Sequence, residues 1–370
     1  MDKIVKFIDC YVPTEACNFK CAYCYIPTLQ NFANKTRKLN YDPEHIGKAL
    51  TKERLGGVCI FNLCAGGETL LSNDVVPITE ELVKNGHYVM IVTNGSISKK
   101  FDEIIKIPKK YHDQIFIKFS YHFLELKKLN LMDKFFDNVK KMKDAGISYT
   151  IELTPGDVYI PYIDEIKKTC LEKAGALPHV TVARVENEEI PIMTELSREE
   201  YIKTWSQFDS PMFDFKIKVF GEKRKEFCYA GKWSYILDLG TGDLRQCYRG
   251  RVLQNIFKDI SSPIKEEPIG YCCPEPHCFN SHAFLAYGDI PELEAPTFAE
   301  QRNRISEIDG SEWLCPKMKQ IMSQRLYDNN TQLTENEKIK ATKNNIKKNR
   351  TEKNIKRIKQ VIKKAIKNGK

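Results

Sequence analysis

The feature that most constrains the fold is a regular alternation of two kinds of segment in the first half of the chain. Apolar runs rich in β-branched residues recur at intervals of roughly 30 residues; they are Ile4–Asp9, Val58–Cys64, Tyr88–Thr93, Ile115–Tyr121, Tyr149–Leu153 and Val180–Val185. Amphipathic stretches of helical period lie between them, among them Glu44–Arg54, Val75–Asn85, Met132–Ala145 and Ile163–Lys173. This alternation predicts an α/β fold of parallel βαβ units with right-handed crossovers. Periodicity alone leaves open a partial barrel, an eight-unit barrel and a doubly wound sheet.

A group of three cysteines follows directly on the first predicted strand. Cys17, Cys21 and Cys24 have the spacing C-x3-C-x2-C. Cysteine thiolates hold iron–sulfur clusters, and three of them leave one iron without a protein ligand, where a small molecule can bind. A zinc site would need a fourth ligand nearby, and no histidine lies between Cys10 and Asn40. A disulfide would suit an exported protein, but the first residues lack the apolar core of a signal peptide.

The cysteine spacing resembles that of the radical S-adenosylmethionine (SAM) enzymes. The resemblance implies a 4Fe–4S cluster on these three cysteines and SAM chelated to its open iron through the amino and carboxylate groups. It also implies reductive cleavage of SAM to a 5′-deoxyadenosyl radical that abstracts a substrate hydrogen, with an electron donor such as flavodoxin or ferredoxin. Among the architectures left open, it favours a partial (β/α)6 TIM-like barrel with a small C-terminal α+β auxiliary domain.

Polar residues and glycines follow the other predicted strands, where the active sites of parallel barrels form. The resemblance assigns Gly66, Gly67 and Glu68 to the Gly-Gly-Glu motif that binds the SAM amine, and Tyr23 to packing near the adenine. The positions that contact ribose and carboxylate fall on Asn94 and Ser120. For Glu68 the alternative is a turn with a solvent-facing acid, and for Tyr23 it is core packing.

Three further side chains at strand ends are candidates for contact with the substrate. His122 ends the fourth run, Glu152 the fifth and Arg184 the sixth. A histidine changes its charge near neutral pH and can act as an acid or a base. The alternatives are a structural role for His122 and an internal ion pair between Glu152 and Arg184.

A second group of cysteines lies beyond the alternating region. Cys228 and Cys247 flank a predicted β-hairpin, and Cys273 and Cys278 follow on a proline-containing loop, with Cys272 as a substitute ligand. Four such cysteines suit either zinc or a 4Fe–4S cluster. The spacing from Cys228 through a glycine to Cys247 resembles the opening of SPASM and twitch domains, which implies one auxiliary 4Fe–4S cluster.

The remaining chain is organised by charge. Residues 338–370 carry 14 Lys and Arg against one acid, which leaves 44 basic and 48 acidic residues before them. A body without excess positive charge does not favour nucleic acid as a partner. The charge pattern of this tail predicts a basic amphipathic helix that contacts a membrane surface or an acidic partner. The alternative is a solvated segment. We predict these divisions: a core barrel 1–190, a connection 191–227, an auxiliary domain 228–290, a helical segment 291–328 and a basic tail 329–370.

The function that these patterns predict is that of a cytoplasmic radical SAM enzyme. Its auxiliary cluster would aid oxidation or electron transfer on a peptide or small-metabolite substrate, and the reaction (oxidation, epimerisation or bond formation) stays open. The alternative is a non-catalytic iron–sulfur or zinc protein that binds a partner. The longest apolar runs fall short of the ~18 residues of a membrane span.

Overall fold

The protein is seen here in a computed structural model. It describes residues 2–24, 35–187, 189–271, 273–278 and 280–368, with the backbone alone for 352–368. Cys272, the substitute ligand, lies outside the described residues, as do the side chains on the distal part of the predicted basic tail.

A single nine-stranded sheet organises the fold. Its strands are β1 (Ile4–Val12), β2 (Val58–Ala65), β3 (Tyr88–Thr93), β4 (Ile115–Ser120), β5 (Ser148–Leu153), β6 (His179–Val180), β7 (Ser234–Asp238), β8 (Asp243–Arg245) and β9 (Val252–Asn255). The order is β6-β5-β4-β3-β2-β1-β7-β8-β9, with parallel pairing from β6 to β7 and antiparallel pairing beyond it. A doubly wound sheet would reverse its strand order. The consecutive order of β1 to β6 therefore confirms the prediction of a partial, open TIM-like barrel.

Helices connect the parallel strands and cover one face of the sheet, whereas Met318 and Leu326 of two later helices belong to the core on the opposite face. They are α1 (Pro43–Ala49), α2 (Lys52–Leu55), α3 (Val75–Lys84), α4 (Ser98–Ile105), α5 (Phe123–Lys128), α6 (Met132–Asp144), α7 (Ile163–Ala174), α8 (Arg198–Trp205), α9 (Pro211–Val219), α10 (Pro316–Met322), α11 (Leu326–Asn329) and α12 (Glu335–Asn368). Short 3₁₀ turns complete the connections at Thr69–Leu71, Lys109–Gln114, Asp157–Tyr162 and Ser206–Phe208. Apolar residues of α3, α6 and α7 share a buried core with Ile8, Leu63 and Ile117 of the strands.

The opposite, concave face of the sheet is divided into an apolar half and a polar half. Alternate residues of a strand share a face. Near the strand starts, Phe7, Ile60 and Phe116 pack in a second core with the chain's later segments; Phe7, for instance, stacks on Tyr287 with ring centroids 4.9 Å apart. Two residues further along each strand stand Asp9, Asn62 and Lys118. The later segments thus close the floor of the barrel, and the polar half remains open at the carboxyl ends of the strands.

Two local predictions differ from the structure. The sixth strand is only two residues long, and Arg184 instead forms an antiparallel bridge with Ile192 in the loop that follows. The predicted hairpin exists as β7 and β8, but β7 pairs in parallel with β1. The hairpin therefore extends the barrel sheet and does not start a separate one.

The last residue of α11 and the residue after it are bound to the barrel. The side-chain amides of Asn329 and Asn330 donate to the backbone oxygens of Ile4 and Val5 at 3.1 and 2.9 Å. They supply partners to backbone groups at the start of β1. Among the residues described, no helix has both the length and the apolar character needed to cross a membrane.

Candidate functional site

A cavity of about 410 Å³ lies on the polar half of the concave face. Its lining comes from several strand ends and from two later segments: Asp9, Cys10, Tyr11, Glu15, Asn62, Cys64, Ala65, Gly66, Val92, Lys118, Arg184, Ile236, Tyr248, Asn280 and His282. This volume falls in the range of small-molecule sites. The Gly66 end of the cavity adjoins the loop that carries the first cysteine group.

The first three cysteines lie together on the loop after β1. The N–H of Cys24 donates to the backbone oxygen of Cys21 at 3.1 Å, which closes a tight turn between the last two thiols. Burial, with the neighbouring thiols as lesser causes, raises the pKa of Cys17 to about 11 and that of Cys21 to about 12. A metal cation that binds these sulfurs displaces their protons and stabilises the thiolates.

The end of β2 holds the cysteine loop in place by direct backbone contact. The N–H of Gly67 donates to the oxygen of Thr14 at 2.7 Å, and that of Glu68 to the oxygen of Ala16 at 2.9 Å. A Cβ atom at Gly67 would lie only 2.0 Å from the Ala16 oxygen, whereas one at Gly66 would have ordinary contacts of 3.5 Å or more. Glycine is thus required at position 67 for the approach of the two loops.

Glu68 is buried and does not face solvent as the alternative interpretation supposed. Its carboxylate accepts from the hydroxyl of Thr93 at 2.6 Å and from the backbone N–H groups of Asn94 and Leu70 at 2.7 and 2.9 Å. Burial raises the pKa of Glu68, and these hydrogen bonds offset part of that rise. A carboxylate has about four acceptor positions, so Glu68 joins β2 to β3 and keeps capacity for one more donor.

Asn94 belongs to a small hydrogen-bond network that sequence reasoning missed in part. Its amide donates to the side-chain oxygen of Asn18 at 2.8 Å, and the Asn18 amide donates to the Ser96 hydroxyl at 2.8 Å. Ser96 in turn donates to the side-chain oxygen of Asn94 at 2.6 Å. Asn18 follows Cys17 directly, so the network fastens the cysteine loop to the end of β3. The signal available in the sequence was the polar side chain of Asn18 directly after Cys17.

Tyr23 and His122 form a buried group with Tyr159. The Tyr23 hydroxyl lies 2.6 Å from Nδ1 of His122 and 2.8 Å from the Tyr159 hydroxyl. Burial lowers the pKa of His122 to about 4. His122 does not line the cavity, and its contact with Tyr23 places it behind the cysteine loop. Tyr159 was missed, because nothing in its local sequence distinguishes it from a core tyrosine.

Glu152 and Arg184 have different partners from each other. Glu152 forms ion pairs with Lys118 at 2.7 Å and with Arg302 at 3.3 Å, whereas Arg184 pairs with Glu186 at 3.1 Å. Among the described residues, each of the two side chains thus has internal ion pairs of its own, and the alternative of one pair between them is not formed. Burial alone would raise the pKa of Glu152, but the two cations hold it below its ordinary value. Ser120 lies opposite Glu152 in the register of β4 and β5.

The four cysteines of the second group line one small cavity of about 50 Å³ together with His277. The segments that carry them are joined by backbone hydrogen bonds, among them those between Cys228 and Gly270 at 3.0 and 3.2 Å. His277 is 2% exposed, and neither of its ring nitrogens has a hydrogen-bond partner among the described residues. His277 thus offers a polar group to whatever the cavity holds.

The donors of both cysteine groups are thiols, which suit either zinc or an iron–sulfur cluster. No group of three or more His, Cys, Asp or Glu side chains in the described part of the chain is arranged to hold one ion. Four sulfurs on one zinc would lie about 3.8 Å apart, given a Zn–S distance of about 2.3 Å. In a cubane each sulfur binds a different iron, so the sulfurs stand further apart and leave a central space.

Comparison with known proteins locates the family resemblance in the barrel. Residues 11–169 match the family model of the Radical SAM superfamily. A protein named as a GTP 3′,8-cyclase, from Pyrobaculum aerophilum, is 31% identical over 100 residues, which are 25% of this chain and 28% of that protein. One named as a glycyl-radical enzyme activating enzyme, from Methanocaldococcus jannaschii, is 32% identical over 103 residues, 27% of this chain and 36% of its own. The matched segment therefore spans only about a third of either relative.

Solved structures resemble the chain more distantly. SuiB of Streptococcus suis, bound to S-adenosylmethionine, has a TM-score of 0.48 and 15% identity, and the match covers 69% of this chain and 64% of SuiB. The protein anSMEcpe with bound AdoMet and a peptide has a TM-score of 0.48 and 16% identity, covering 69% of this chain and 79% of that one. These likenesses are too weak to support conclusions of their own. The match of residues 11–169 thus places a radical SAM domain in this part of the chain.

Proposed function

We propose that this protein binds SAM and a 4Fe–4S cluster on Cys17, Cys21 and Cys24 and initiates radical chemistry on a substrate in the 410 Å³ cavity. When bound, the reduced cluster supplies the one electron that cleaves SAM to a 5′-deoxyadenosyl radical, which takes a hydrogen atom from the substrate. The observation that carries the proposal is the three-cysteine loop held against Gly67 at the carboxyl ends of parallel strands, beside that cavity.

The chain's own residues have distinct parts in this proposal. Glu68 accepts the ammonium group of SAM with its remaining acceptor position, and Gly66 and Gly67 let the backbone approach the cofactor. Asn94 and Ser120 contact the ribose and carboxylate, and Tyr23 packs near the adenine. Because Tyr23 is hydrogen-bonded to His122, we assign His122 to orienting Tyr23 rather than to substrate.

The second cavity supports an auxiliary 4Fe–4S cluster on Cys228, Cys247, Cys273 and Cys278. All four thiols and a buried histidine line one space, and the chain around them is closed by backbone hydrogen bonds. We propose a SPASM- or twitch-like role in which this cluster aids oxidation or electron transfer. Glu152 and Arg184 then act at the substrate end of the larger cavity, and a flavodoxin or ferredoxin supplies electrons.

Iron content and SAM cleavage after anaerobic reconstitution test the proposal. We expect about eight irons per chain, since each cubane holds four, and release of 5′-deoxyadenosine under reducing conditions. Replacing Cys17, Cys21 and Cys24 by Ala should remove about four irons and all cleavage.

A matched triple variant separates ligand loss from general damage. Cys10, Cys59 and Cys170 are buried thiols that belong to neither group, and their replacement by Ala should leave about eight irons. SAM cleavage by the Cys17, Cys21 and Cys24 variant would refute the assignment. Clusters that bind without any SAM cleavage in the unaltered protein would instead favour the non-catalytic, partner-binding alternative.

A further inference from the structure

The large cavity has a strongly basic inner wall. Lys118 and Arg184 line it together with His282. Lys216 and Arg302 lie behind them, 4% and 1% exposed. Burial, and then the charges of all four cations, lower the pKa of His282 well below its ordinary value. The four positive groups therefore converge on one region of the molecule.

The carboxylates in this region do not balance the four cations. Glu152 is shared between Lys118 and Arg302. Glu186 pairs with Arg184 and is shared with Arg249 at the rim, which also contacts Glu275. Asp9 stands on the other wall and accepts a hydrogen bond from Asn62 at 2.8 Å, and Glu15, which also lines the cavity, pairs with Arg37.

Lys216 is the basic side chain of this region that has no carboxylate partner of its own among the described residues. Its ammonium donates to the hydroxyl of Thr181 at 2.8 Å, and no carboxylate of the described residues forms an ion pair with it. Its neighbours are Arg184, Lys118, Glu152 and Arg302, three of which are cations. Burial, and then the charges of Arg184 and Lys118, lower the pKa of Lys216 well below its ordinary value. An anion bound beside these side chains would favour the protonated form of Lys216 and would be attracted by all of them.

We propose that this wall binds the anionic group, a carboxylate or phosphate, of a small-molecule substrate, with Lys118, Arg184 and Lys216 as its cationic partners. The inference rests on the proposed function and names its substrate class. Lys118 precedes Ser120 by two residues on the same face of β4, so the anion lies deeper than the strand ends assigned to SAM. The apolar floor closes the barrel below it, which suits a small molecule.

Transfer of deuterium tests the substrate class. The reconstituted full-length protein is given reductant, unlabelled SAM and extract from cells grown on deuterated medium. The extract is ultrafiltered, and the small-molecule filtrate is separated on an anion exchanger into retained and unretained fractions. We expect deuterium in 5′-deoxyadenosine with the retained fraction. Deuterium that comes only from the unretained fraction, or only from the macromolecules, overturns the inference.

A charge-removing variant tests the wall itself. Lys216→Met should raise the amount of retained fraction needed for half-maximal deuterium transfer by about tenfold or more, as for loss of a buried charged partner. Lys100→Met is the matched control, because Lys100 is also buried but pairs with Glu103 on α4, outside the cavity. Lys100→Met should leave the amount of retained fraction needed for half-maximal transfer unchanged.

Two outcomes separate the possible failures. An equal rise in the KM for SAM in Lys216→Met would show that the carboxylate of SAM is the anion, and this would overturn the inference while leaving the proposed function intact. Absence of 5′-deoxyadenosine from every reaction, including those of the unaltered protein, would overturn both.

Discussion

Asp9 illustrates how one buried side chain sets the chemistry of the cavity. It lies on the concave face of β1, two residues after the apolar Phe7, and takes a hydrogen bond from Asn62 of the neighbouring strand. Burial raises its pKa to about 6, although Asn62 and Lys118 act in the opposite direction. At this scale the sequence predicted the right residue types at strand ends but not their partners. Glu152 pairs with Arg302, 150 positions away, and no local pattern connects them.

The raised pKa of Asp9 predicts a dependence of stability on pH. The folded protein holds the Asp9 proton up to about pH 6, whereas the unfolded chain releases it near pH 3.8. This stabilising contribution is therefore complete below about pH 4 and is lost as the pH rises through 6. We expect the free energy of unfolding of the wild type, minus that of Asp9→Asn, to fall by at most about 3 kcal/mol over this window. Urea unfolding at several pH values measures it, and a difference that rises with pH would contradict the assignment.

At the scale of elements, the loop after β1 and the turn after β2 depend on each other. The sequence placed both at strand ends, because hydrophobic periodicity fixes where parallel strands stop. It did not reveal that Gly67 touches the backbone of Ala16, since that contact joins segments 51 residues apart. The same limit explains β7: its apolar pattern predicted a strand, but its pairing with the edge at β1 depends on the whole sheet.

Adjacent glycines allow a test of this contact. Gly67→Ala would force its Cβ against the Ala16 oxygen, 2.0 Å away, and displace the cysteine loop, whereas Gly66→Ala makes only ordinary contacts. We expect reconstituted Gly67→Ala to hold about four irons and Gly66→Ala about eight, as two cubanes require. Iron analysis with absorption spectra of each protein provides the measurement. Equal iron content in the two variants would show that the loop tolerates the shift.

At the scale of the molecule, the last helix contacts the segments that carry the second cysteine group. The sequence predicted a basic amphipathic helix on a membrane surface or an acidic partner, or else a solvated tail, because the charge of residues 338–370 dominates their composition. The first part of α12 is instead packed against the body. The buried side chain of Asn345 accepts from the Gln246 amide at 2.9 Å and donates to the oxygen of Ile269 at 3.1 Å. Thr342 accepts from the N–H of Tyr271 at 3.2 Å.

These contacts predict that the auxiliary cluster depends on α12. Gln246 precedes Cys247, and Tyr271 lies two residues before Cys273, so α12 fastens the segments of two proposed ligands. Removing residues 335–370 should lower the iron content from about eight to about four, because buried hydrogen bonds worth about 1 kcal/mol each are lost together. Removing residues 352–370 alone should leave about eight, and liposome co-sedimentation of the two forms would then report on the basic end separately.

A pair of point variants makes the same test without truncation. Asn345→Ala removes both buried hydrogen bonds and leaves Gln246 and the Ile269 oxygen with fewer partners, whereas Asn344→Ala alters an exposed neighbour on the same helix. We expect a lower auxiliary iron content, or faster loss of that iron to a chelator, in Asn345→Ala only. If both variants keep their iron equally well, α12 merely covers the surface, and the geometry of the four cysteines is set by the backbone bonds between Cys228 and Gly270.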